Sequence, residues 1–209
     1  MDKKSLGASF AWGVLLVVLA GSVGAWAWDW SQSRASSPLP VYSQVADFSL
    51  VERSGRPFGL EDLKGRVWVA SFFFSHCTRL CPLTLPQLSR LQDSLADVQF
   101  VSITVDPQQD TPPVLAELAE RFHAQPARWY FLTGDQQVIY DLSVHSFLMA
   151  AEEVPLYKRT PGDDPFLHDG HFVLVDRRAQ VRGFYDPLDD EAMLRLQQEA
   201  PLVVKEKFP

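Results

Sequence analysis

Cysteine is almost absent: Cys77 and Cys81 are the only two in 209 residues. That excludes a fold held by several disulfides in place of a core. Basic charge is in deficit. Lys and Arg total 19 against 26 Asp and Glu, a formal net charge of −7. A nucleic-acid partner usually needs a basic face, so this balance argues against one. Charge of either sign is missing from Ser5 to Trp28, and no internal repeat or long low-complexity tract occurs anywhere. What remains is a globular composition, 46% hydrophobic and 22% charged. The length suits one domain with a real core.

The uncharged stretch centres on Trp12-Gly13-Val14-Leu15-Leu16-Val17-Val18-Leu19-Ala20, with Lys3 and Lys4 before it and Trp26, Trp28 and Trp30 after it. A bilayer core takes about 20 apolar residues as helix. Flanking lysines hold that end in the cytoplasm, and tryptophans favour the interface. Residues 1–30 are therefore expected to form an N-terminal transmembrane anchor. It would place the following domain in the periplasm, on the outer face of a bacterial inner membrane. A cleaved signal peptide, ending near Ala25-Trp26-Ala27, is the competing reading. Residues 31–44, rich in Ser and Pro, read as a linker. Residues 45–200 read as the domain and 201–209 as a tail.

Within the domain, Phe48–Leu50 and Pro57–Leu60 flank a turn and predict a hairpin. Val67–Phe74 is a continuous apolar run, the mark of a buried central strand. Leu85, Leu88, Leu91 and Leu95 follow at helical spacing, with Pro82 near the start. Gln99–Val105 predicts a strand, Thr111–Phe122 a helix, Trp129–Leu132 a strand and 135–142 a helix. Ala151–Asp169 is polar and irregular. Phe172–Asp176 and Val181–Tyr185 predict a hairpin, and Asp189–Glu199 a closing helix with Asp189 as its cap. The alternation predicts an α/β, thioredoxin-like fold with an N-terminal transmembrane helix.

The two cysteines sit in Ser75-His76-Cys77-Thr78-Arg79-Leu80-Cys81-Pro82, between the central strand and a helix. Residues four apart in a helical turn share one face. A helix N-terminus favours the thiolate, and Arg79 or a protonated His76 acts in the same direction. A thiolate is both a soft-metal ligand and a redox nucleophile, so both roles stay open. Inert core thiols or a buried disulfide are the bland alternative. A peroxide-reducing site is disfavoured because Phe72–Ser75 lacks the upstream Pro and Thr that such enzymes use.

Five histidines are candidates for a third ligand: His76, His123, His145, His168 and His171. His123 reads as a helix-end residue and His145 as structural. His168 ends the polar loop just before the strand at Phe172. In a thioredoxin fold this approach faces the cysteine turn and usually carries a cis-proline, which Leu167-His168-Asp169-Gly170 lacks. His171 competes with it. Two thiolates and one imidazole would suit copper, Cu(I) through sulfur and Cu(II) through the added nitrogen.

Several segments together resemble the Sco (SenC/PrrC-type) family, membrane-anchored copper chaperones of cytochrome c oxidase assembly. They are Val45–Leu50 with Gly55-Arg56-Pro57-Phe58, Leu63–Ala70, Phe72–Pro82, Ser102–Pro107 with Asp110-Thr111-Pro112, Arg128–Gly134 and Phe172–Asp176. The resemblance implies that Cys77, Cys81 and His168 bind copper. It also implies a copper-bearing oxidase subunit as the recipient, with an upstream copper donor or a thiol reductant as further partners. It points to a delivery protein rather than an ordinary enzyme. Thiol–disulfide reduction of the recipient's cysteines is the alternative activity. Two departures stand out: Asp169-Gly170-His171 follows His168 where the family has Ser or Thr, and the turn Arg177–Gln180 lacks a glycine.

Overall fold

The apolar runs of the sequence become the centre of one sheet. In a computed structural model of the chain, the described residues are 21–22, 39–76, 81–149, 151–153, 166–168 and 170–206, with 81–82, 151–153 and 166–168 as backbone only. The chain divides into two units, Met1–Pro38 and Leu39–Pro209. The predicted anchor at 1–30 lies outside the described residues, apart from the helical pair Gly21 and Ser22. Among the described residues no helix is long and apolar enough to cross a membrane.

In chain order the strands are β1 (Ser43–Gln44), β2 (Ser49–Glu52), β3 (Pro57–Gly59), β4 (Val67–Phe73), β5 (Val98–Thr104), β6 (Trp129–Thr133), β7 (Ala151–Glu153), β8 (Phe166–His168), β9 (Phe172–Val175) and β10 (Gln180–Tyr185). The α-helices are α1 (Cys81–Ser94), α2 (Pro112–Arg121), α3 (Gln136–Asp141) and α4 (Asp190–Lys205). Eight strands form one sheet in the order β1-β10-β9-β4-β5-β6-β2-β3, and β7 pairs with β8 alone. Strands β4, β5 and β6 are parallel, and β9 runs antiparallel to β4 with Ala70 opposite Val173. Every residue of β4 and β5 is buried. Burial on both faces is why these strands read as largely apolar runs rather than alternating ones. Polar groups at the middle of the sheet pair with one another: the Ser71 and Ser102 hydroxyls lie 2.9 Å apart, and the Trp129 indole N–H donates to Ser102 at 2.9 Å.

Three expectations change. The stretch 151–169 is not wholly irregular, because β7 and β8 pair antiparallel across it, with Ala151 opposite His168. Residues 201–209 are not simply a tail, because α4 continues to Lys205 through Pro201. Proline costs one helical hydrogen bond, but Ala200 and Val203 are both fully buried on the core and keep the helix going. Nor does the folded unit begin at residue 45. Ser43 and Gln44 pair with β10, and the Leu39 and Pro40 carbonyls accept from the Arg182 guanidinium at 2.7 Å and 3.2 Å.

The β9–β10 turn shows how the missing glycine is handled. Ala179 takes the left-handed conformation at φ 60°. The Asp176 carboxylate holds it there by accepting from the Arg178 and Gln180 amides at 2.8 Å and 2.9 Å.

Candidate metal centre

Strand β4 delivers the chain to the cysteine motif. Phe74 is fully buried directly after the strand, and Ser75 and His76 turn outward. Cys77 to Leu80 lie outside the described residues. Cys81 is the first residue of α1, with Pro82 second, where a missing N–H costs nothing. Because β4 and β5 are parallel with α1 between them, the N-terminus of α1 lies at the end of the sheet where β4 leaves. The unpaired N–H groups of a helix start favour negative charge there, thiolates included.

The antiparallel pairing of β4 and β9 brings the third candidate to the same place. The chain enters β9 at the end of the sheet where β4 exits. His168 closes β8 four residues before Phe172, and half-buried His171 immediately precedes that strand. The topology therefore brings the exit of β4, the start of α1 at Cys81 and the entry to β9 just after His171 to one sheet end. The side chains of Cys77, Cys81 and His168 lie outside the described residues. Among the residues that are described, no cluster of three His, Cys, Asp or Glu side chains forms a metal site.

Of the other histidines, His123 and His145 are placed elsewhere, while His76 adjoins the cysteine segment. His123 follows α2 with φ 53°, and α2 connects parallel strands, so its C-terminal end lies at the opposite end of the sheet. His145 is exposed on a π-helical turn, Leu142–Ser146. His76 is exposed, its Nδ1 3.0 Å from the Ser75 hydroxyl. A cavity of about 470 Å³ between the β2–β3 hairpin and the turn before β6 is lined by Arg53, Arg56, Phe58 and Tyr130. It too sits at the far end, where β6 begins.

Two supports of the site were invisible in the sequence. Asp110, fully buried, reaches from the β5–α2 connection to the exit of β4. Its Oδ2 accepts from the Ser75 amide at 3.0 Å and from the Thr104 hydroxyl. Thr104 in turn accepts from the Asp106 amide at 3.0 Å. The only sequence signal is the run Asp106-Pro107-Gln108-Gln109-Asp110-Thr111-Pro112 after β5, which does not say which carboxylate turns inward. The second support is Phe147, fully buried at the end of the π-helical turn. It packs edge-on against Trp68 and Phe72 of β4, with ring centroids 5.8 Å and 5.4 Å away. Just beyond it, the Met149 amide donates to the Ser143 carbonyl at 3.0 Å, and the Ser143 hydroxyl donates to the Met149 carbonyl at 3.2 Å. This pair fixes the chain shortly before β7, the strand that pairs with the one ending in His168.

The fold and site define a thioredoxin-like α/β domain with a Cys-x-x-x-Cys segment at the strand-to-helix junction. The sequence model described as SCO1/SenC matches residues 38–198. The SCO1 protein homolog of Bacillus subtilis is 31% identical over 156 residues, covering 72% of this chain and 78% of that protein. The structure of BsSco, described as a member of the Sco family of cytochrome c oxidase assembly proteins with a disulfide switch, superposes with a TM-score of 0.70 at 27% identity. That match covers 82% of this chain and 99% of the other. Yeast Sco1 with copper bound superposes with a TM-score of 0.61 at 25% identity, covering 77% of this chain and 90% of the other. The chain belongs to the SCO1/SenC family.

Proposed function

We propose that this chain binds copper as cargo through the Cys77 and Cys81 thiolates and the His168 imidazole, and delivers it to a terminal cytochrome c oxidase during assembly. The observation that carries the reading is that β4 exits, α1 begins with Cys81 and β9 is entered at one end of the sheet, as the antiparallel pairing of β4 with β9 requires. The donor set fits the ion. Two soft sulfurs favour Cu(I), and an imidazole lets the same site accept Cu(II). Membership of the SCO1/SenC family supports it, as do the copper bound to yeast Sco1 and the oxidase-assembly role given for BsSco.

The mechanism is ligand exchange. The helix start at α1 favours thiolate at Cys81. The β7–β8 hairpin carries His168 on an element that pairs with no strand of the main sheet. The imidazole is thus the ligand best placed to leave first, opening the ion to a recipient's ligands. The anchor at 1–30 would hold the domain on the outer face of the inner membrane, near the copper-bearing oxidase subunit.

A second reading uses the same cysteines, and the disulfide switch of BsSco favours it. The Cys77–Cys81 dithiol gives two electrons and two protons to a disulfide of the recipient and becomes a disulfide itself. One experiment separates the two. In cells lacking the native protein, a Cys77→Ser/Cys81→Ser chain leaves the oxidase short of copper, and His168→Ala does the same if delivery is the role. Full copper content with the double cysteine variant would sink both readings. Full content with His168→Ala alone leaves the reductase.

A further inference from the structure

Asp110 is the one carboxylate in the described residues that is fully buried and has an oxygen without a hydrogen-bond partner, its Oδ1. A buried acceptor left open is a cost that native structures rarely keep. Its position shows what is gained. Asp110 immediately precedes Thr111, the residue before α2, yet its Oδ2 accepts from the Ser75 amide and the Thr104 hydroxyl rather than from that helix's amides. The carboxylate turns instead to a residue 35 positions earlier, the Ser75 amide at the exit of β4. Thr104, the last residue of β5, donates to the same oxygen. One charged group thereby ties the ends of the two central strands together, two residues before Cys77. Hydrogen bonds to an ionised acceptor are about twice as strong as neutral ones.

We infer that Asp110 is a positioning residue for the thiol pair: it clamps the backbone at Ser75, two residues before Cys77, and so narrows the paths open to that thiol. This rests on the reading of Cys77 and Cys81 as a working pair, though not on copper as the cargo. Fewer open paths raise the effective concentration of one sulfur at the other. Without the clamp the two thiols meet less often, and both disulfide closure and two-sulfur chelation weaken.

The test is a redox equilibrium on the full chain. Glutathione disulfide takes two electrons and two protons from the dithiol, giving two glutathione thiols and the Cys77–Cys81 disulfide. Asp110→Asn keeps the size of the side chain and removes its charge. It is expected to lower the equilibrium constant for disulfide closure about tenfold, roughly 30 mV for a two-electron couple. Thr104→Val, which removes one bond to Oδ2 but leaves the Ser75 clamp, is expected to shift it less than about threefold, a difference of ~15 mV on the same scale. The cost to the fold alone is read separately, from the unfolding of Asp110→Asn in a Cys77→Ser/Cys81→Ser background. A closure constant within twofold of wild type, with only that unfolding midpoint lowered, would make Asp110 purely structural and overturn the inference. If Asp110→Asn does not fold, hydrogen exchange of the Ser75 amide in the wild-type chain decides. Different protection in the dithiol and disulfide forms supports the clamp, and identical protection overturns it. A wild-type chain that binds no copper defeats the carrier reading but leaves this shift intact.

Discussion

Removing the Arg182 guanidinium should cost this domain a large part of its stability. The side chain is 4% exposed and its charge is fully engaged. Nη1 donates to Asp176 at 2.8 Å and to Glu206 at 2.7 Å, Nη2 donates to Glu206 at 2.8 Å and to the Leu39 carbonyl at 2.7 Å, and Nε reaches Leu39 and Pro40. Burial pushes its pKa down, but the hydrogen bonds to the Glu206 and Asp176 carboxylates and their negative charges hold it above the ordinary arginine value. In Arg182→Met the consequences divide unequally. The Glu206 side chain is 23% exposed and can turn to water, whereas the Asp176 side chain is 0% exposed and cannot. Asp176 keeps the Arg178 and Gln180 amides but loses the Arg182 guanidinium. Breaking a buried pair from one side costs about 3–5 kcal/mol. With a urea slope of about 2 kcal/mol/M, the midpoint should fall by ~2 M. The double variant Arg182→Met/Asp176→Asn should recover part of that loss, because no uncompensated buried charge stays behind. A single-variant midpoint shift below ~0.5 M, about 1 kcal/mol on that slope, would refute the reasoning.

Other consequences follow from the same structure. Phe147→Ala empties the contact with Trp68 and Phe72 and should cost about 3–5 kcal/mol in chemical denaturation, with Phe147→Leu costing far less. A chain starting at Val45 loses β1 and the carbonyls of Leu39 and Pro40; against one starting at Leu39 it should be about 2–4 kcal/mol less stable. Burial first, then the hydrogen bond to Glu199, raises the Tyr185 pKa well above the ordinary tyrosine value. The folded state therefore favours the protonated phenol. Its contribution is intact below about pH 10 and is lost as pH rises past it, by about 1.4 kcal/mol per pH unit. Urea unfolding at pH 9 and pH 11 should show that fall in wild type and less of it in Tyr185→Phe.

The legibility of this chain followed the range of each signal. Strands β4 and β5 and helix α1 were readable because burial on two faces or one leaves a local pattern, an apolar run or leucines at helical spacing. The β7–β8 pair was not, because strands of three residues separated by Pro and Gly carry no period. Pro201 hid the end of α4, since the packing of Ala200 and Val203 that outweighs it is tertiary. At the site, the chemical types of Cys77, Cys81 and His168 were visible, and the fold adds that the exit of β4, the start of α1 and the entry to β9 share one sheet end. The Asp110 clamp joins residues 35 apart through a side chain. No local pattern records such a bond, so the sequence could show an acidic, proline-containing run but not its direction.

The most direct test of the carrier account is an anaerobic titration of the full chain with Cu(I) and with Cu(II), comparing wild type with His168→Ala, His171→Ala and Cys77→Ser/Cys81→Ser. The account predicts one ion per chain with sulfur-to-Cu(II) charge-transfer absorption. It further predicts that this absorption is lost or shifted in His168→Ala, retained in His171→Ala and absent in the double cysteine variant. Tight binding that survives loss of both cysteines, or a spectrum that changes with His171 and ignores His168, would contradict it.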